Sequence, residues 1–254
     1  MLLIDKLSYR SKLRYVNASE KLMYAVLTLI LCILSRSVRV AALVFVINGI
    51  LTVGKGGIPL SRYIRLLMIP TAFLIAGTAA IVINISKVPM DAFALELGEW
   101  YITGSMAGIY RALELCATAL SAVTCLYFLS LNTVMTDILD ALRKLHFPSL
   151  LIELMLLIYR FIFVLFQTAS AITVSQQARL GNRDFKTRVR SFGAMGSALF
   201  ILALKRSNML YDAMESRCYD GNIRVLTRMQ PARAGEIAVI AAIELILVLV
   251  WICG

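Results

Sequence analysis

The stretch SLLIELMLLIYRFIFVLFQTAS, residues 149–170, decides how the chain is read. It is apolar and long enough to cross a bilayer, for which about 20 apolar residues suffice. Yet Glu153, Arg160 and Gln167 recur at intervals of seven and so fall on one stripe of a helix. Such a stripe is costly against lipid and calls for protein surroundings. A crossing would also carry the basic run Arg179, Arg183, Lys186, Arg188 and Arg190 to the outer face. The segment is therefore read as a long helix buried among partners at the cytoplasmic membrane face. Hydropathy alone leaves a further crossing open.

The composition around it belongs to a membrane protein. Of 254 residues, 60% are hydrophobic and 16% charged, and the mean hydropathy is +0.81. Soluble domains run nearer 45–50% apolar and about 25% charged. An ordinary cytosolic enzyme, a fibrous protein and a disordered chain are excluded. Apolar spans are expected at 21–35, 38–54, 64–85 and 105–130, with a last one at 235–253. Ser35-Arg36-Ser37 separates the first two as a tight hairpin, and Pro70 and Gly77 in the third are tolerated in membrane helices. The expected fold is an all-α integral membrane protein of about five transmembrane helices. It divides into a four-span N-terminal domain (1–130), a cytoplasmic helical domain (131–234) and a final transmembrane helix (235–254).

Charge sets the expected orientation. The net charge is +11, and residues 131–234 carry 14 Lys/Arg against 7 Asp/Glu. The first 21 residues hold five basic and two acidic side chains, and the 55–65 loop adds Lys55, Arg62 and Arg65. The 86–104 loop is acidic, with Asp91, Glu96 and Glu99 against Lys87. The positive-inside rule places the N-terminus, the 55–65 loop and 131–234 in the cytoplasm and the 86–104 loop outside. Arg36 and Arg39 break the pattern and are read as snorkelling to the interface. A basic excess of this kind goes with a lipid bilayer, not with nucleic acid.

Catalytic and metal constellations are not evident. Five scattered cysteines form no C-x-x-C pair and suggest neither disulfides nor zinc. His146 is the sole histidine and reads as an interfacial side chain, and the eleven methionines form no M-x-x-M cluster. No phosphate-binding G-x-x-x-x-G-K-[ST] loop occurs, so the chain is not expected to hydrolyse ATP. Gly54-Lys55-Gly56-Gly57 reads as a flexible turn, and Arg111 with Glu114 as a structural ion pair three residues apart. The polar N-terminus does not read as a secretory signal. No cofactor is expected in this chain.

The 131–234 segment reads as three helices. Thr136–Leu145 is amphipathic, with Pro148 closing it off. A second helix runs from Ser149 into the 180s, stopped at Gly181-Asn182, and a third from about Phe192 to Tyr219, with Gly221 as a left-handed cap. Arg179 and Arg217 fall near the C-terminal ends of the two long helices. Arginine's planar fork of donors suits a carboxylate or carbonyls on a partner protein, although a solvated cytoplasmic charge has the same sequence signature. Gly193, Gly196 and Ser197 would let a second helix approach closely, or serve ordinary packing.

These residues resemble the transmembrane T component of energy-coupling factor (ECF) transporters, and look most like its cobalt-type T protein. The resemblance runs over nearly the whole chain. It is carried by Ile4-Asp5-Lys6-Leu7 with Lys21, by Leu142-Arg143-Lys144-Leu145 leading to Pro148, and by Tyr159-Arg160-Phe161. Its strongest parts are Gln177-Ala178-Arg179 and Ala213-Met214-Glu215-Ser216-Arg217-Cys218-Tyr219-Asp220-Gly221, similar to the family's two Ala-Arg-Gly signatures. The sequence departs from both: the first reads Ala178-Arg179-Leu180 with Gly181 one place late, the second Ser216-Arg217-Cys218.

The resemblance implies a non-catalytic energy-coupling subunit in a bacterial or archaeal cell membrane. Ala178, Arg179, Gly181 and Ser216, Arg217, Gly221 would dock on two ABC-type ATPase subunits. Arg160, Gly193, Gly196 and Ser197 would face a membrane-embedded substrate binder, with a small accessory membrane subunit as a further partner. Cobalt is the substrate it favours; nickel or a vitamin, or a stand-alone secondary transporter, are the alternatives.

Overall fold

In the computed structural model, residues 3–82, 84–86, 93–97, 100–221, 223, 231 and 233–252 are described. They form α1 (Leu3–Arg10), a 3₁₀ turn (Lys12–Tyr15), α2 (Ala18–Ser35), α3 (Val38–Ile50) running into a π turn (Leu51–Lys55), and α4 (Leu60–Val82). A small antiparallel sheet follows: β1 (Asn84–Ser86), β2 (Phe93–Leu97) and β3 (Trp100–Gly104), in the order β1-β3-β2 with Ile102 opposite both Ile85 and Leu95. Then come α5 (Met106–Asn132), α6 (Met135–Lys144), α7 (Ser149–Ala178), α8 (Phe185–Glu215) and α9 (Ala234–Ile252). The all-α reading holds for the membrane-sized elements; the sheet is confined to the loop joining α4 to α5. Of the acidic loop residues, Asp91 and Glu99 lie outside the described residues, as does Cys253.

Six of the described helical segments are long and apolar enough to cross a membrane: α2, α3 with its π turn, α4, α5, α7 and α9. The protein is a multi-pass membrane protein. The chain divides into two compact units, one of Leu2–Ala141 with Arg228–Gly254 and one of Leu142–Thr227, with the boundary inside α6.

In the first unit α5 is the central element, since each of three buried clusters contains one of its side chains. Cys125 packs with Cys32, Val40, Ala41, Val44 and Leu247; Leu131 with Leu7, Ile58, Tyr63 and Leu67; Phe128 with Tyr24 and Ala25. The Tyr24 and Phe128 rings meet edge to face at 5.1 Å. Lipid gives helices no hydrophobic reason to associate, so polar ties fix the arrangement. The Tyr24 hydroxyl donates to Asn48 Oδ1 at 2.9 Å, and Asn48 Nδ2 donates to Cys125 Sγ at 3.1 Å and Thr124 Oγ1 at 3.4 Å. Ser121 Oγ donates to the Ala41 carbonyl at 2.6 Å, and Thr28 Oγ1 to Glu244 Oε1 at 2.8 Å.

Two local readings are corrected. Gly54-Lys55-Gly56-Gly57 is not a loose turn: Lys55 ends the π turn and Gly56 is buried against Thr52 and Asn132. Arg111 is exposed and makes no ion pair with Glu114 within 4.0 Å among the described residues. It lies less than two turns from the start of α5, close enough to the helix end to reach the interface instead of its neighbour.

Candidate functional site

The second unit is built on two helices of 30 and 31 residues. α7 begins after Pro148, which cannot donate a backbone hydrogen bond but has a φ suited to a helix start. α8 begins at Phe185 behind Asp184, seven residues before the expected start at Phe192. Its first two turns, FKTRVRS, are basic and read as connection because nothing in them alternates; α8 has no buried residue along its whole length.

The two arginine signatures fold into the same structure. Arg179 is the last half-helical residue of α7, and Leu180 after it takes the left-handed conformation at φ 59°. The Leu180 N–H donates to the Gln177 carbonyl at 3.1 Å and the Gly181 N–H to the Gln176 carbonyl at 2.8 Å. After α8, Cys218 takes φ 56°; its N–H donates to the Glu215 carbonyl at 3.0 Å and the Tyr219 N–H to the Met214 carbonyl at 3.1 Å. Both are Schellman caps with arginine one place before the left-handed residue. The left-handed positions are those of the glycines in the Ala-Arg-Gly signature. Glycine's value there is positive φ, more than close approach to a partner. His146, exposed, closes α6 in the same way at φ 61°.

Gly221 was expected at the left-handed cap of the last insert helix. It has φ 86°, but lies three residues beyond Cys218, in the segment leading away. Gly181 has a steric role: a Cβ there would stand 2.8 Å from the Gln176 carbonyl oxygen and 3.0 Å from Ser191 Oγ. These two neighbouring positions give opposite expectations. Leu180→Gly removes a left-handed strain of about 1 kcal/mol, offset in part by unfolded-chain entropy, and is expected to stabilise the cap by about 0.5 kcal/mol. Gly181→Ala is expected to destabilise it by about 1–2 kcal/mol. Amide hydrogen exchange at residues 177–181 reads both.

Both arginines are exposed, and neither guanidinium has a hydrogen-bond or ion-pair partner among the described residues. Near Arg179 the hairpin is tied by Gln176 Nε2 donating to the Ser191 carbonyl and Ser191 Oγ donating to the Gly181 carbonyl, each at 2.9 Å. At its other end the chain beyond α8 is held to the start of α7. Glu153, buried in the second turn of α7, accepts from the Tyr219 hydroxyl and, at 2.9 Å, from the Ile223 N–H. Arg143 donates to the Ile223 carbonyl at 3.2 Å. Glu153 and Arg179 are 26 residues apart on α7, about 39 Å of helix. The two arginine caps therefore occupy opposite ends of one hairpin.

Glu153, Arg160 and Gln167 do not act as one stripe. Glu153 turns to its own chain, whereas Arg160 and Gln167 are exposed. Sequence spacing could not show this, because the groups that Glu153 holds lie 66 and 70 residues away. Gly193 and Gly196 are open as well: nothing stands within 4 Å of a Cβ placed on either. Among the described residues no group of three or more His, Cys, Asp or Glu could hold a metal ion.

Glu153→Ala is expected to release the segment from Tyr219 to Ile223. The Ile223 N–H loses its carboxylate acceptor, a bond worth about 1.5–3 kcal/mol, so amide exchange at Ile223 is expected to accelerate by roughly one to two orders of magnitude. The bond to Glu153 raises the Tyr219 pKa above the ordinary phenol value. For Tyr219 this means that its share of the tie is lost only as pH rises through the shifted value, above the ordinary phenol range. The clamp is then indifferent to pH across the physiological range.

A sequence-family model described as cobalt transport protein, CbiQ, matches residues 10–229. The cobalt transport protein CbiQ of Salmonella typhimurium is 28% identical over 223 residues, covering 87% of this chain and 99% of that one. A putative fused cobalt transport protein CbiMQ of Methanocorpusculum labreanum is 31% identical over 262 residues, 99% of this chain and 41% of the fusion. The energy-coupling factor transporter transmembrane protein EcfT of Staphylococcus aureus is 30% identical over 177 residues, 63% of this chain and 66% of EcfT. With a membrane helix bundle and two like arginine caps on a long hairpin, this chain belongs to the CbiQ family of cobalt transport proteins and is a T component of the energy-coupling factor type.

Proposed function

We propose that the chain couples ATP hydrolysis on two ABC-type ATPase subunits to a separate substrate-binding membrane subunit, in an importer for Co²⁺. The observation that carries this is the pair of exposed arginines, presented by identical caps at opposite ends of one hairpin. An arginine aimed outward from a rigid cap can enter a partner's groove without being reordered, which lowers the entropy cost of docking. Two such points on one hairpin suit two ATPase subunits. Closure of an ATPase pair would displace the two ends relative to one another, and stiff helices would pass that displacement on.

The contact surface for the substrate binder is assigned to Arg160 on α7 and to Gly193, Gly196 and Ser197 on α8. Their exposure among the described residues supports this. The fusion of a CbiM-type segment to a relative of this chain supports a membrane partner of the same transport system. The same reading places the N-terminus and residues 131–234 in the cytoplasm. It assigns no catalysis and no bound cofactor to this chain.

The test is reconstitution in liposomes with two ATPase subunits and a cobalt-type substrate binder. ATP-dependent Co²⁺ uptake is expected only when all components are present. Uptake by this chain alone, or uptake without it, would overturn the proposal. Uptake of Ni²⁺ but not Co²⁺ would keep the coupling role and correct the substrate.

A further inference from the structure

A cavity of about 300 Å³ lies where α2 and α9, two membrane-sized helices of the first unit, both begin. Its charged lining is at the helix starts: Glu20 and Lys21 are the third and fourth residues of α2, and Glu236 is the third of α9. Further along, the lining turns apolar. Tyr24 packs one turn in against Phe128, and Val239, Ile240 and Ile243 continue the wall along α9. Glu236 and Ile243 are seven residues apart, about 10 Å of helix. The cavity therefore has a charged end at the bilayer boundary and an apolar end within the bilayer.

Glu20 is the group on this wall that the fold does not account for. It is only 7% exposed, and neither carboxylate oxygen has a hydrogen-bond partner among the described residues. Beside it stand the Glu236 carboxyl and the backbone of Arg233. The neighbouring cations do not neutralise it. Lys21 Nζ is taken by the Leu13 and Asn132 carbonyls, and its charge is faced by Asp137 as well as Glu236. Arg233 meets Glu236 only at 4.0 Å with its side chain 75% exposed, a loose surface pair. Two adjoining carboxyls, one of them buried, share a proton or hold a cation. A proton needs no space, whereas this pair borders a cavity with room for a chain of heavy atoms.

We propose that the cavity binds the primary ammonium of an aminophospholipid, as in phosphatidylethanolamine, against Glu20 and Glu236. An ammonium brings three N–H donors to two carboxyls that have acceptors to spare. The lipid phosphate would be met by Lys55, which is exposed on the same wall. The upper acyl region would lie along Val239, Ile240 and Ile243. A metal ion would answer the charge and leave the apolar wall uncovered, and a free amine would do the same. The bound lipid would tie the start of α9 to α2 and to the π turn.

The test is competition between phosphatidylethanolamine and phosphatidylcholine of identical acyl chains for the full-length chain in detergent, read by native mass spectrometry. The two lipids carry the same charges, but the choline nitrogen has no N–H to donate. Loss of hydrogen bonds to a carboxylate should favour phosphatidylethanolamine about tenfold or more. Glu20→Gln keeps the shape of the side chain and should bring the preference close to one. An unchanged elution profile and unfolding temperature in phosphatidylcholine alone would confirm that its fold is intact. Val239→Trp fills the apolar end without touching either carboxyl, and should lower retention of both lipids alike. Equal retention of the two lipids by the parent chain would overturn the proposal and leave the carboxyls sharing a proton. A preference that survives Glu20→Gln, or retention unaffected by Val239→Trp, would overturn it as well. Displacement of the lipid by millimolar ethanolamine or Mg²⁺ would also overturn it, showing a site for a free cation.

Discussion

Replacing Arg179 and Arg217 together by alanine is expected to abolish ATP-driven uptake while leaving the chain folded in the membrane. Both side chains are exposed and bond to nothing in the described structure, so their loss should cost folding about 0.5 kcal/mol or less. The caps themselves are made by backbone groups of Gln176, Gln177, Leu180 and Gly181, and of Met214, Glu215, Cys218 and Tyr219. Alanine at the arginine positions leaves them in place. In a docked complex, removing one member of a buried, hydrogen-bonded charge pair costs about 2–5 kcal/mol. Even the lower figure weakens docking roughly thirtyfold per arginine. Each single variant should retain one ATPase contact and a fraction of the uptake; the double variant should retain neither. Co-purification of the ATPases and metal uptake in vesicles check this, with membrane content of the chain as the control. Undiminished co-purification in the double variant would remove the arginines from the interface.

Gly56→Ala is expected to be the most damaging single methyl addition in the first unit. The glycine backbone is fully engaged: its N–H donates to the Leu51 carbonyl at 2.9 Å, and its carbonyl accepts from the Lys12 N–H at 3.1 Å. A Cβ would fall on the Thr52 carbonyl oxygen and on Asn132 Oδ1. Asn132 cannot yield easily. Its side chain accepts from Ser11 Oγ at 2.7 Å and donates to the Phe128 carbonyl at 2.9 Å, and its own carbonyl accepts from buried Lys21 Nζ at 2.9 Å. The same lysine also donates to the Leu13 carbonyl at 3.0 Å. A methyl group at position 56 therefore presses on the knot that joins the N-terminal segment, the π turn and the end of α5. Overpacking of a rigid site costs about 3 kcal/mol at its upper range, which for a chain of this size lowers the unfolding temperature by roughly 6–12 °C. Gly54→Ala, two residues earlier, is the control: nothing stands within 4 Å of its Cβ, and little change is expected.

The contrast between Gly54 and Gly56 shows what the sequence could and could not reveal. A run of glycines with a lysine reads as slack chain, and its composition holds no trace of Asn132, 76 positions away. Elements with strong periodicity or punctuation were legible. Pro148 marks the start of α7 to the residue, and the apolar spans match α2, α4, α5 and α9 to within about four residues at each end. α8 was cut short because a helix that buries nothing need not alternate, so its basic first turns resemble a connection. The arginines of the two signatures were recognisable by resemblance. The shape that presents them was not, since leucine and cysteine argue against the left-handed positions that Leu180 and Cys218 occupy. The spacing of Glu153 with Arg160 and Gln167 calls for protein surroundings, which Glu153 has, but it cannot name the partners, a distant tyrosine and a backbone amide.

The bareness of α8 bears on how much of the protein a cell can keep. A 31-residue helix with no fully buried residue, only half-covered along one stripe by its own chain, takes the rest of its protection from whatever binds it. Copies made in excess of their companions would offer this segment to proteases first, and limited digestion of the isolated chain is expected to begin between residues 185 and 215. Subunit numbers would then be matched by degradation, with no dedicated regulator needed.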